Sequence, residues 1–221
     1  MDYLTHQLLN PEKAKEIVKR ITSKESGWKD GKLTAGKYAS KVKNNKQLEK
    51  ESNEAQIACD YIITEIKNNQ LLKSFSIPQK IHGVMFSKTE KDEGYGMHVD
   101  NAYMTNGRSD LSFTIFLSNP KDYKGGELCI QNLQDVQEIK LEIGEIIIYP
   151  STSLHSVNMV TNGIRYACVG WIQSYITSNE DRNILFSLDA AGRGIISRHG
   201  QSEESDLIFQ SYNNLLRRLG K

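Results

Sequence analysis

The chain has 221 residues, 38% hydrophobic and 25% charged, with a formal net charge of +1; it is long enough for one sizeable core and lacks the basic excess of a dedicated nucleic-acid binder. Cys59, Cys129 and Cys168 are scattered, with no C-x-x-C pair, so neither a disulfide framework nor a zinc knuckle is indicated and a reducing compartment is expected. The opening stretch has no secretory signal pattern and no run of about 18 apolar residues occurs, which points to a cytoplasmic protein with no membrane partner.

Asn10-Pro11-Glu12 is a helix start: a cap, a proline at the first helical position, then an acid. Ala14, Ile17, Val18 and Ile21 follow at helical spacing, and Gly27 closes the unit. Trp28 to Asn45 reads as irregular and extended chain, with Asp30-Gly31 as a turn and Thr34-Ala-Gly36 and Tyr38 within it. Ser52 caps a second predicted helix, whose stripe is Ala55, Ile57, Ala58, Tyr61, Ile62 and Ile66. Lys80 to Phe86 has strand composition, and Thr89 to Gly94 is a polar loop.

From Leu111 the pattern becomes short strands at close spacing. In Leu111-Ser-Phe-Thr-Ile-Phe-Leu117, Ser112 and Thr114 share one face, while Leu111, Phe113, Ile115 and Leu117 share the other. Further strands are expected at Glu127 to Gln131, Val136 to Leu141, Glu145 to Tyr149, Leu154 to Val157 and Arg165 to Ile172, with Asn162-Gly163 as a hairpin turn. Helices, then about eight short strands, then helices predict a mainly β domain with flanking helices and a double-sheet, jelly-roll core. Its expected bounds are residues 1–177, with the core at about 80–175. Residues 178–221 form a helical extension: one helix from Ser178 or Asn179 to about Leu188, a stretch loosened by Gly192 and Gly194, then a last helix from Ser202. The last helix carries Leu207, Ile208, Tyr212, Leu215, Leu216 and Leu219. That face is wide enough to need a cover, either the same domain or a second copy of the chain in a homodimer.

The chemistry sits in His98-Val-Asp100. Residues i and i+2 on an extended chain share a face, so an imidazole and a carboxylate there can close on one metal ion. His155 supplies a second imidazole. Two histidines and a carboxylate form a facial triad that leaves coordination positions open, a set suited to Fe(II); without a thiolate, zinc is less favoured. Arg165 could grip a carboxylate through paired hydrogen bonds, with Ser112 and Thr114 as hydroxyl donors on a neighbouring strand. Trp171 shares the face of Arg165 by alternation and could wall the metal pocket. Tyr95 and Asn101 flank the triplet, and Lys41 to Asn45 could frame the mouth.

These residues resemble the iron- and 2-oxoglutarate-dependent dioxygenases, in which the arginine stands ten positions after the distal histidine, as Arg165 does after His155. Within that superfamily the chain is similar to the PKHD-type hydroxylases, relatives of the prolyl hydroxylases. The resemblance runs through Trp28-Lys-Asp-Gly-Lys-Leu-Thr-Ala-Gly36, Lys41-Val-Lys-Asn-Asn45, His98-Val-Asp-Asn-Ala102, Tyr123-Lys-Gly-Gly-Glu-Leu128, Tyr149-Pro-Ser-Thr-Ser-Leu-His155 and Trp171-Ile-Gln-Ser174. It implies a double-stranded β-helix fold and an Fe(II) site made of His98, Asp100 and His155. It also implies 2-oxoglutarate on Arg165, L-ascorbate as reductant, and hydroxylation of a protein or peptide side chain, a prolyl residue, with decarboxylation of 2-oxoglutarate to succinate and CO2. One departure stands out: nine positions before the first metal histidine the family has a tyrosine, where this chain has Thr89, and an acidic loop from Glu90 to Glu93 replaces a glycine-rich one. Two other readings are weighed. Nucleic-acid demethylases of the superfamily carry a second arginine six positions after the first, where this chain has Trp171. A non-catalytic iron-binding jelly roll would need no dicarboxylate clamp.

Overall fold

A computed structural model describes residues 3–23, 27–34, 36, 39–49 and 52–221. Ala35 and Tyr38, within the stretch expected to be extended, lie outside the described residues. The N-terminal part contributes β1 (Leu4–Gln7), α1 (Pro11–Ile21), β2 (Trp28–Asp30), β3 (Lys43–Asn44), β4 (Lys46–Leu48), α2 (Asn53–Asn68) and α3 (Gln70–Ser76). The β-rich middle holds β5 (Pro78–Thr89), β6 (Gly94–His98), β7 (Tyr103–Met104), β8 (Gly107–Arg108), β9 (Leu111–Phe116), β10 (Tyr123–Gly125) and β11 (Leu128–Gln131). It continues with β12 (Val136–Ile139), β13 (Glu145–Pro150), β14 (His155–Val157), β15 (Val160–Gly163) and β16 (Arg165–Ser174), and the chain closes with α4 (Asn179–His199) and α5 (Glu203–Leu219).

The helix starts are set by their caps. Asn10 Oδ1 accepts from the Lys13 N–H at 2.8 Å, and Pro11 spends its missing donor where none is needed. Ser52 Oγ accepts from the Ala55 N–H, and Ser178 Oγ from the Asp181 N–H. The helix α3 has no counterpart among the predicted elements; it follows α2 after one residue, capped by Asn69, and stops where Ile77 turns left-handed.

Two antiparallel sheets face each other. The larger runs β1-β13-β9-β16-β5-β4-β2 and the smaller β12-β11-β14-β6-β3. The alternation on β9 decides which side goes where. Leu111, Phe113 and Ile115 pack with Ile17, Ile62, Ile66 and Phe75 of α1 to α3, on the outside of the larger sheet. Phe116 packs with Leu128, Ile130, Ile147 and Tyr149 between the sheets. Full burial of each such aliphatic or aromatic side chain contributes about 1.5–3 kcal/mol. Ser112 and Thr114 therefore face the interior of the jelly roll, as their spacing predicts.

The segment Lys43–Leu48 belongs to both sheets. Its first half, β3, pairs with Tyr95 and Gly94 of β6, while its second half, β4, pairs with Lys88 and Ser87 of β5. It bridges the two sheets along one side, and the acidic loop is tied to it: Lys46 pairs with Glu90, which also meets Lys88 at 3.2 Å, and Asn44 Nδ2 donates to the Asp92 carbonyl.

Three expectations need correction. Asn162-Gly163 does not turn a hairpin between the strands of His155 and Arg165. Gly163 (φ +78°) ends β15, which pairs with β10, so the turn residues close a separate two-stranded ribbon. Gly192 and Gly194 do not loosen the chain: both lie inside the 21-residue α4. At Gly192 a β-carbon would come within 2.8 Å of the Phe209 ring, so the missing side chain lets α5 pack closely. The polar loop is also shorter than expected, because β5 extends to Thr89. The wide face of α5 is used within the chain: Tyr212, Leu215, Leu216 and Leu219 pack on Ile77, Ile176 and Leu185, leaving Leu207 exposed.

Candidate metal centre

β6 and β14 are neighbours in the smaller sheet, and His98 and His155 are cross-strand register partners. A register shift between His155 and Val157 lets Tyr95 as well as His98 face inward, and the two rings stack at 3.7 Å between centroids. Asp100 lies two residues beyond the end of β6, so strand alternation alone does not place it. Its Oδ2 accepts hydrogen bonds from Ser112 Oγ (2.6 Å) and Trp171 Nε1 (2.9 Å), on adjacent strands of the opposite sheet. Ser112 Oγ also meets Ser151 Oγ at 2.7 Å.

One ligand atom each from His98, Asp100 and His155 lie within 4.8 Å of one another. Both imidazoles are oriented from behind: His98 Nδ1–H donates to the Gly96 carbonyl (2.8 Å) and His155 Nδ1–H to the Ser153 carbonyl (3.0 Å). That tautomer turns the Nε2 lone pairs to the centre. Burial, and then the facing His155, push the His98 pKa down to about 4, so this ring is neutral and able to bind a metal at physiological pH. The donor set of two imidazoles and one carboxylate, with no thiolate, fits an Fe(II) facial site.

A pH prediction follows from His98. Its folded pKa lies below the unfolded value of about 6.5, so the unfolded chain takes up the proton first. The metal-free chain should lose up to about 3 kcal/mol of stability as pH falls from about 6.5 to about 4. Chemical denaturation across that range should show the slope in the native chain and a shallower one in His98→Gln.

The centre lines a cavity of about 120 Å³ between the sheets. Arg165 lies in its wall, 2% exposed. Among the described residues no carboxylate forms an ion pair with it, and its Nε and the nearby Tyr123 hydroxyl are buried without hydrogen-bond partners. Burial pushes its pKa down, with Tyr123 the largest opposing influence. The Phe116 ring lies 5.2 Å from the guanidinium carbon. A buried cation with an orphaned donor suits an anion. Thr114, Tyr149 and Thr89 line the same cavity; Thr89 is the register partner of Arg165, at the position where a tyrosine was expected.

Of the residues singled out in the sequence, His98, Asp100, His155, Arg165, Thr114, Trp171, Tyr95 and Asn101 all reach this cavity. Ser112 reaches it too, but its hydroxyl serves Asp100 and Ser151 rather than standing free for a co-substrate. Trp171 walls the centre and also holds the carboxylate. It is seated by Gly83 (φ +64°), where a β-carbon would stand 2.5 Å from the indole, and by a bulge in the pairing of β16 with β5. Sequence reading missed Tyr149, hidden in the unbroken apolar run of β13, and Gln47; the stretch Lys41 to Asn45, expected to frame the mouth, contributes Lys43 and Asn45 to the lining.

Both the sheets and the site define an iron- and 2-oxoglutarate-dependent oxygenase: residues 84–173 match the family model of the 2OG-Fe(II) oxygenase superfamily. Solved structures share the fold. The chain covers 97% of a viral collagen prolyl hydroxylase from Paramecium Bursaria Chlorella virus-1, solved as a 2OG complex, which covers 79% of this chain at 16% identity with a TM-score of 0.58. A prolyl hydroxylase from Trichoplax adhaerens, in complex with a hypoxia inducible factor peptide fragment, covers 83% of this chain, with 86% of its own length matched, at 18% identity and a TM-score of 0.56. More specifically, a PKHD-type hydroxylase of Prochlorococcus marinus is 63% identical over 100% of both chains. The chain belongs to the PKHD-type hydroxylases.

Proposed function

We propose that the chain hydroxylates a side chain of a protein or peptide, a prolyl residue, using Fe(II) and 2-oxoglutarate. The observation that carries this reading is the presence, in one cavity, of a two-histidine, one-carboxylate set and a buried arginine without a carboxylate partner among the described residues. His98, Asp100 and His155 hold the metal, and Arg165, with Thr114 beside it, takes the distal carboxylate of 2-oxoglutarate. Iron bound there supplies the oxidation, one atom of O2 going to the substrate C–H as hydroxyl and the other to 2-oxoglutarate, which leaves as succinate and CO2. The protein's part is positional. Backbone carbonyls aim the imidazoles, Trp171 and Ser112 fix the carboxylate, and Leu128, Val157 and Val169 help keep the cavity dry.

The prolyl substrate is supported by the fold shared with prolyl hydroxylases, one of them solved with a peptide. L-ascorbate serves as the reductant that keeps the iron as Fe(II). Three free thiols and the lack, among the described residues, of a helix long and apolar enough to cross a membrane support a cytoplasmic setting. Residues 1–177 form the catalytic domain, with 178–221 as its helical extension. The demethylase reading has no support in the site, where Trp171 is engaged with Asp100.

Anaerobic titration with Fe(II) and 2-oxoglutarate should give a weak visible charge-transfer band, and admission of air should give succinate. A native chain that shows neither is not a 2-oxoglutarate oxygenase.

A further inference from the structure

One wall of the cavity comes from outside the barrel strands that carry the metal ligands. In the bridging segment Lys43–Leu48, alternation turns Lys43, Asn45 and Gln47 to the same side, and all three line the cavity. Asn45 is placed by its neighbours on the larger sheet. Continued by one residue, the register that pairs Gln47 with Ser87 and Lys46 with Lys88 brings Asn45 beside Thr89, whose partner on the other side is Arg165. Asn45 therefore stands two strands, about 10 Å, from Arg165, with the short Thr89 side chain between them. Its amide has a fixed direction. Oδ1 is buried and makes no hydrogen bond among the described residues, and it rests against Gly31, where a β-carbon would collide with it. The Gly31 N–H also donates to the Asn45 carbonyl at 2.8 Å. With the oxygen turned back to Gly31, the NH2 is the end of the amide that faces the cavity.

That donor is matched to one class of group. On the proposed function, 2-oxoglutarate has its distal carboxylate on Arg165 and its other end on the metal, so an amide two strands from Arg165 is left for the substrate. A prolyl residue offers little to recognise: its ring is apolar and its nitrogen carries no hydrogen. The polar groups it brings are two peptide carbonyls, one on the ring nitrogen and one after the ring, and both only accept. A carbonyl taken out of water into the cavity needs a donor, or it carries the full cost of desolvation. The Asn45 NH2 supplies one without adding charge.

We propose that Asn45 is a specificity-determining residue whose NH2 donates to a peptide carbonyl flanking the reacting proline. This rests on the proposed function and deepens it, naming the group by which the site holds a side chain that has no polar atom of its own. The carbonyl has two sources: the residue before the proline, or the proline itself.

The test uses the full chain loaded with Mn(II) and 2-oxoglutarate under nitrogen, where the paramagnetic metal broadens the NMR signals of a bound probe. The probes are acetyl-proline methylamide, which has both carbonyls, N-acetylpyrrolidine, which keeps the one on the ring nitrogen, and N-methylcyclopentanecarboxamide, which keeps the one after the ring. The native chain should bind the first probe. Asn45→Leu, similar in volume but without a donor, should bind it at least about fivefold more weakly. Gly31→Ala, at a position that does not line the cavity, should weaken it too by displacing the amide. Of the two partial probes, the one that Asn45→Leu weakens identifies the carbonyl. In both variants 2-oxoglutarate affinity should stay within about threefold of native. The inference is overturned if Asn45→Leu binds the first probe as the native chain does, or if it loses 2-oxoglutarate to the same extent as the probe. It is overturned equally if Gly31→Ala leaves probe binding unchanged. A native chain that binds 2-oxoglutarate but no probe removes the prolyl substrate from the proposed function, and this inference with it. One that fails to bind 2-oxoglutarate at all overturns the proposed function as a whole, a separate readout in the same experiment.

Discussion

Arg165→Met should abolish 2-oxoglutarate binding while leaving the ligand-free chain as stable as before, or more stable. The two halves of this expectation have one cause. The guanidinium is buried without an ion-pair partner among the described residues, and its Nε is orphaned, so the ligand-free chain carries its full desolvation cost. Methionine fills similar volume without that cost, and relief of about 1–3 kcal/mol offsets lost packing on Phe116. Breaking a buried ion pair from one side costs about 3–5 kcal/mol, roughly a 150- to 5,000-fold loss of affinity. Thermal melting with and without 2-oxoglutarate measures both. In the native chain the ligand should raise the melting temperature through mass action, and in Arg165→Met it should not. A variant that melts far lower without ligand, yet still responds to it, would show that Arg165 is a structural group.

Asp100→Asn should remove the metal and spare the fold. Oδ2 is held by two donors, Ser112 Oγ and Trp171 Nε1. The asparagine oxygen will take that place and satisfy both, so the surrounding structure loses little. The centre, however, loses its negative charge and gains an amide NH2, which cannot bind a cation. Metal affinity should fall by more than about 100-fold, the upper end of what removing a mere supporting partner costs. Trp171→Phe provides the comparison. It deletes one supporting hydrogen bond and should cost about 10- to 100-fold. Mn(II) or Co(II) binding by calorimetry, with circular dichroism as the check on folding, ranks the two. If Trp171→Phe costs more than Asp100→Asn, the carboxylate is not a ligand.

How much of this could be read from the residues alone depended on whether the information was local. The face of Ser112 and Thr114 was readable because β9 alternates cleanly. The helix starts at Asn10, Ser52 and Ser178 were readable because a cap acts within one turn. His98, Asp100, His155 and Arg165 were readable because metal and carboxylate chemistry restricts the residue types. Alternation gives a face but not a partner, and Ser112 shows the limit: its face was readable, but nothing local says that Asp100 will reach its hydroxyl. Gly192 misled because a glycine reads as a weak point unless the neighbouring helix is known, and here Phe209 occupies the space. Asn162-Gly163 carried a hairpin signal, but tertiary pairing with β10 decided its use. Tyr149 was invisible because β13 is buried on both faces, and an apolar run carries no period to read.

The two imidazoles stand opposite each other in the register of β6 and β14, although much of the barrel's sequence lies between them. A metal shared by them is therefore a removable cross-link that closes a loop of about 57 residues, with a chain-entropy value of about 4 kcal/mol by analogy with a disulfide of that span. It can form only once those strands have found their final alignment, because a slip of one residue in either strand turns its ring to the opposite face. Metal uptake then reports completed folding. Metal loss should appear first as faster unfolding, so iron supply would govern the lifetime of this protein in the cell as well as its turnover.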